Sequence, residues 1–298
     1  MITYILLLTV CSILIPPYQA EGACNMMLDK HNRAEMMSRS FVFGSNNLWP
    51  NKQVPYTFGA GLTSNERSSI RSAMNIIESR SCVRFVPRSS QKNFVKIRNN
   101  MIGCFASAIG FNPNREKLVV NLARRVCMSQ AIITHELFHA LGFLHEQNRP
   151  DRDEFIRVSW NNITPLINRY YQFARARAPG ENIALCNFRR RRAYTNCYNG
   201  MTSTTLGLTY DYISVMQYSR TAFSWNGRPT LTATRDGGST LGNRVGMSTL
   251  DVQKLNKAYQ CSGETSCGDR YTTCSNFKKY CTRFSFLTNN CKLTCNKC

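Results

Sequence analysis

Residues 135–145 read His-Glu-Leu-Phe-His-Ala-Leu-Gly-Phe-Leu-His. Side chains four positions apart share one face of a helix, so His135 and His139 can aim their imidazoles at a common point. Glu136 sits beside that point, where a carboxylate can take a proton from a water polarised by a metal. His145 adds a third imidazole. Three protein ligands leave a coordination position open, as catalytic zinc sites do, whereas closed structural sites use four. The pattern therefore predicts one Zn2+ held by His135, His139 and His145, with Glu136 as general base.

Gly142 stands between the second and third histidines. Glycine readily takes the left-handed conformation that ends a helix, and the chain can then turn sharply to bring His145 back. The spacing predicts a helix over 129–141, with Ile133, Leu137, Ala140 and Leu141 on its core-facing side. Residues 54–58 read as a strand. Thr63 and Glu66 form a capping box ahead of Ile70, Ala73, Met74 and Ile77 at helical spacing. Short β-type runs follow at 82–86, 94–97 and 117–122. A last helix runs from Ser248, an N-cap with Asp251 three residues on, to Tyr259.

The chain has 298 residues, 43% of them hydrophobic, enough for one large domain and a small module. Residues 4–15 are an apolar run too short to span a bilayer. Followed by Pro16, Pro17 and Ala20, they read as a secretory signal peptide over 1–20. No later run is long enough for a transmembrane helix. Of fourteen cysteines, Cys11 falls in the leader and Cys24 in the polar stretch 21–39, leaving an even set suited to disulfides in an oxidising compartment. The net charge of +21 favours anionic partners: acidic protein substrates, glycosaminoglycans or other anionic matrix, or phospholipid surfaces. Secretion and the lack of any nucleic-acid-binding motif argue against nucleic acid.

Residues 180–210 read as an insertion in which Cys186 and Cys197 bracket Arg189–Arg192. That arginine run is a solvated charge patch, an anion-binding tip or a processing site. Asn162-Ile-Thr164 is a glycosylation sequon and implies an exposed loop. After a polar linker at 262–266, residues 267–298 carry six cysteines and little apolar material, so disulfides must hold them together.

The residues after His145 continue Glu146-Gln-Asn-Arg149-Pro-Asp151-Arg152-Asp153, and Asp211-Tyr-Ile-Ser214-Val-Met216-Gln217-Tyr218 follows downstream. Together with the histidine run, they resemble the astacin family of metzincin peptidases over residues 40–261. The resemblance implies an α+β, two-lobed catalytic domain with a twisted mixed sheet and a long zinc-binding helix, acting as a secreted zinc endopeptidase on proteins or peptides. It implies that Met216 floors the metal, that Tyr218 is a tyrosine able to leave the metal and stabilise the oxyanion, and that 117–122 is the edge strand beside the cleft. Gln217 departs from the histidine usual there.

The resemblance also implies a pro-segment at 21–39, cut between Arg39 and Ser40 by a trypsin-like activator, with the new amine near Glu146. The family's zinc-masking motif is absent from 21–39, which leaves Asp29 or Cys24 as the mask. The family pairs Cys82 with Cys261 and Cys104 with Cys127, leaving Cys186 to Cys197. Residues 267–298 resemble a ShKT module, which would pair Cys267–Cys298, Cys274–Cys291 and Cys281–Cys295. Channel-blocking relatives of that module need a Lys-Tyr pair, and TRFSFLTNN at 282–290 contains neither residue. The competing classes are a zinc-holding binding protein and a toxin-like effector.

Overall fold

The computed structural model describes residues 47–187, 197–235, 241–242, 245–261 and the single positions 274, 281, 294 and 295. The expected leader, the expected pro-segment with Cys24, Asp29, Arg39 and Ser40, the Arg189–Arg192 run and most of 262–298 lie outside these residues.

The upper lobe is a five-stranded sheet with two helices. In chain order come β1 (Gln53–Phe58), α1 (Ser64–Glu78), β2 (Arg84–Pro87), β3 (Phe94–Arg98), β4 (Cys104–Ala106), β5 (Lys117–Leu122) and α2 (Gln130–Ala140). The strand order is β2-β1-β3-β5-β4, parallel except for β4. Lys117–Leu122 is therefore not an edge strand: β3 and β4 flank it, and the three-residue antiparallel β4 forms that edge. β5 shows the stronger apolar alternation because Leu118, Val120 and Leu122 face the core. β4 is too short to show a period.

The helix α2 packs against α1, β4 and β5. Its buried positions include Ala131, Ile133, Thr134, Glu136, Leu137, Phe138, His139 and Ala140. A helix buried almost all round lies inside the domain rather than on its surface. Ile133, Leu137 and Leu141 are fully covered, each worth about 1.5–3 kcal/mol of transfer free energy.

The lower lobe has its own apolar cluster of Ile156, Ile163, Phe173, Tyr210, Leu231 and Leu241, onto which Tyr218 packs. Its elements are short: β6 (Ile156–Val158), α3 (Ile167–Phe173), β7 (Ala184–Leu185), β8 (Cys197–Tyr198) and β9 (Leu231–Ala233), the last antiparallel to β6. The closing helix α4 (Thr249–Ala258) returns to the main core through Leu255 and Ala258.

Disulfides join Cys82–Cys261, Cys104–Cys127, Cys186–Cys197 and Cys281–Cys295. Cys274 is also disulfide-bonded, while Cys267, Cys291 and Cys298 lie outside the described residues. Asn162 is half-buried rather than on an open loop. Its Nδ2 donates to Pro229 O at 2.8 Å and its Oδ1 accepts from Asn226 at 3.0 Å.

The capping box of α1 also fastens the approach to α2. Glu66 accepts from the Thr63 backbone N–H at 2.8 Å and from Arg124 Nε at 3.0 Å, and Arg124 lies between β5 and α2. Burial raises the Glu66 pKa, but the Thr63 N–H and the Arg124, Thr63 and Asn99 side chains outweigh it and hold the carboxyl at about 2. A carboxylate depressed on folding stabilises above its ordinary 4.5, and that stability is lost as pH falls towards 2. Glu66→Gln should therefore lower stability at pH 7 by about 1 kcal/mol, with the difference from wild type shrinking between pH 4.5 and 2 in denaturant titrations.

Candidate metal centre

The C-terminus of α2 shows how the third histidine is delivered. A helix leaves its last carbonyls without partners, and here each one is met. The Phe143 N–H donates to Phe138 O at 2.9 Å and the Gly142 N–H to His139 O at 3.0 Å. These two bonds are a Schellman motif, completed by Phe138 and Phe143 with ring centroids 5.0 Å apart. Trp49 Nε1 donates to Ala140 O at 2.8 Å, and the Tyr259 hydroxyl to Leu141 O at 3.0 Å. Gly142 has φ 107°, a conformation costly for any residue with a Cβ.

Beyond this turn the three histidines converge. Their ligand atoms lie within 4.8 Å of one another, and His145 Nε2 is 3.2 Å from the Nε2 atoms of both His135 and His139. His135 Nδ1 lies 2.8 Å from Val215 O and His139 Nδ1 lies 2.7 Å from Phe143 O. A carbonyl can only accept, so in each neutral ring Nδ1 carries the hydrogen and Nε2 presents a lone pair to the shared point. Burial above all, then the charge of His135, lowers the His139 pKa to about 3; burial and the other two histidines push His145 well below its ordinary value. Three unprotonated nitrogens facing one point are a donor set that fits a zinc ion.

Glu136 is buried on the same helix. Met216 is buried, and its carbonyl accepts the Glu146 N–H at 3.0 Å. The turn carrying Met216 is held by Asp251, whose carboxylate accepts from Ser214 Oγ at 2.5 Å and the Val215 N–H at 2.8 Å while also capping α4. The Tyr218 ring lies against His145, centroids 4.4 Å apart. Gln217 is buried and accepts a hydrogen bond from the Tyr210 hydroxyl at 2.5 Å. It thus serves the lower-lobe core.

Around Glu146 the structure adds partners that the sequence did not disclose. Its Oε1 accepts from Lys254 Nζ at 2.6 Å, the Asp211 N–H at 2.9 Å and Arg149 at 3.2 Å. Lys254 and Glu146 are both almost wholly buried. Only the position of Lys254 on the inner face of α4 could have signalled this.

A helix with two histidines, a glycine turn to a third and a methionine-bearing turn whose Val215 carbonyl meets His135 define a zinc site of the metzincin class. The model of the astacin peptidase family matches residues 42–184 and 187–260, and the chain belongs to that family. A ShK domain-like model matches residues 266–298. Zinc metalloproteinase nas-14 of Caenorhabditis elegans is 37% identical over 221 residues, 74% of this chain and 38% of that protein. The low choriolytic enzyme of Oryzias latipes is 31% identical over 218 residues, 72% of this chain and 69% of that one. The chain thus spans well under half of some curated relatives and about two thirds of others. Among solved structures, high choriolytic enzyme 1, a hatching enzyme zinc-protease from Oryzias latipes, superposes with a TM-score of 0.60 at 30% identity, covering 74% of this chain and 98% of that chain. Zinc is named for nas-14 and for high choriolytic enzyme 1, and it is the cofactor that the histidine donor set fits.

Gly142→Ala should reduce zinc affinity about five- to thirtyfold, because a Cβ at φ 107° opposes the turn that delivers His145 by about 1–2 kcal/mol. Zinc competition against a chromophoric chelator would show it, and unchanged affinity would remove the turn from the explanation of the site.

Proposed function

We propose that this chain is a secreted zinc-dependent endopeptidase made as a latent precursor, with His135, His139 and His145 as zinc ligands and Glu136 as the catalytic carboxylate. The observation that carries the reading is the convergence of three unprotonated Nε2 atoms, two of them fixed by Nδ1–H bonds to carbonyls, beside the buried Glu136.

Zinc, when bound, supplies a Lewis acid that acidifies water and polarises a carbonyl. Glu136 takes the proton from the attacking water and then delivers it to the leaving nitrogen. The Tyr218 hydroxyl donates to the oxygen on which negative charge develops. Met216 and Glu146 hold the floor beneath the ligands and the strap after His145. Among the described residues no strand pairs with the outer edge of β4, so an extended substrate segment can add there as a further strand.

The leader at 1–20 and the pro-segment at 21–39 belong to this reading. A trypsin-like cut between Arg39 and Ser40 releases the enzyme, and Cys24 or Asp29 masks the zinc before it. Glu146 already faces Lys254 and Arg149, so it has internal cations whether or not the Ser40 amine joins them. The ShK-like module and the +21 charge support docking to anionic matrix.

Glu136→Gln should lower kcat on a protein substrate by at least about a hundredfold while zinc content stays at one per chain. A chelator should abolish wild-type activity, and added zinc should restore it. Activity surviving in Glu136→Gln would contradict the assignment.

A further inference from the structure

Gln172, the second-last residue of α3, connects the lower lobe to the metal centre. Its Oε1 accepts a hydrogen bond from the Tyr218 hydroxyl at 3.0 Å. The same residue is anchored through its backbone. Gln172 O accepts from Asn148 Nδ2 at 3.0 Å and Gln147 Nε2 at 3.4 Å. Gln147 Oε1 in turn accepts the Tyr218 backbone N–H at 3.2 Å. Residues 147 and 148 directly follow the strap from His145, so Gln172, Tyr218 and the third histidine are tied to one short segment.

The Tyr218 ring is bounded by His145 (centroids 4.4 Å apart), Phe223 (5.5 Å) and Phe173 (6.0 Å). These contacts fix the ring beside the site and leave its hydroxyl to choose among polar partners. Both Gln172 and Tyr218 are half-buried, so a bond between them is exchangeable rather than locked in the core.

We propose that Gln172 is a positioning residue for Tyr218: its carboxamide holds the phenol hydroxyl away from the zinc and releases it to a developing oxyanion. The inference rests on the peptidase reading above. The residue type matters. A neutral amide oxygen holds a phenol with an ordinary hydrogen bond, which a charge-assisted bond to an oxyanion outcompetes. A carboxylate at the same place would compete on equal terms.

The test uses the activated full chain with Gln172→Glu, Gln172→Leu and the conservative Gln172→Asn, each alone and combined with Tyr218→Phe. Gln172→Glu should lower kcat roughly tenfold with KM little changed, as expected for one stronger hydrogen bond to be broken. Gln172→Leu should change kcat about threefold, and Gln172→Asn should stay nearer wild type. In the Tyr218→Phe background these effects should shrink to within about twofold, because interacting residues are not additive.

The second readout is spectroscopic. With Cu2+ in place of zinc, the phenolate-to-copper absorption should strengthen in Gln172→Leu, weaken in Gln172→Glu and vanish in Tyr218→Phe. Equal kcat effects in both backgrounds, or a copper band indifferent to residue 172, would overturn the proposal. A wild-type chain without chelator-sensitive activity would instead defeat the peptidase reading, and the copper band would still report on the Gln172–Tyr218 contact.

Discussion

Three imidazole nitrogens must meet at one point without a proton between them, and much of the molecule is arranged to meet that demand. A neutral imidazole must place its single hydrogen somewhere. In His135 and His139 it goes to Val215 O and Phe143 O. Both carbonyls are themselves constrained. Phe143 lies in the Schellman turn after α2, whose last carbonyls are met by Trp49 and Tyr259 from distant parts of the chain. Val215 is held by Asp251, the N3 member of the capping box that opens α4. Helix ends, rather than helix faces, therefore set the tautomers of the ligands.

Behind the ligands sits a buried group of charges: Glu146, Asp211 and Asp251 with Arg149 and Lys254. Such groups add little net stability, because desolvation costs several kcal/mol per ion and the attraction only repays it. Their value here is directional. Glu146 connects the strap after His145 to α4 through Lys254 and to the start of the methionine turn through the Asp211 N–H. Burial first, and the neighbouring Asp251 second, raise the pKa of the Asp211 carboxyl, while Ser248 donates to it. Removing one partner would strand a charge, so the cluster resists piecemeal change.

Much of this was legible in the chain. Both capping boxes, Thr63 with Glu66 and Ser248 with Asp251, form as their spacing requires. So does the glycine turn, because a positive φ has few other solutions. What stayed hidden is short or distant. β4, β6 and β9 are three-residue strands with no room for a period. The helix α3 has no side-chain cap to announce it. Lys254 meets Glu146 across 108 positions and Gln172 meets Tyr218 across 46, separations at which residue type gives no hint of contact. The resemblance implied that Lys117–Leu122 is the edge strand, and its own sequence offered no check on that. Alternation reports which face is buried and is silent about which edge is paired.

X-ray absorption at the zinc edge of the activated chain tests the convergence of the histidines most directly. The structure predicts one zinc per chain with three imidazole nitrogens at about 2.0–2.1 Å and the remaining donors oxygen. Fewer than three imidazoles, or a sulfur-rich shell at about 2.3 Å, would contradict it.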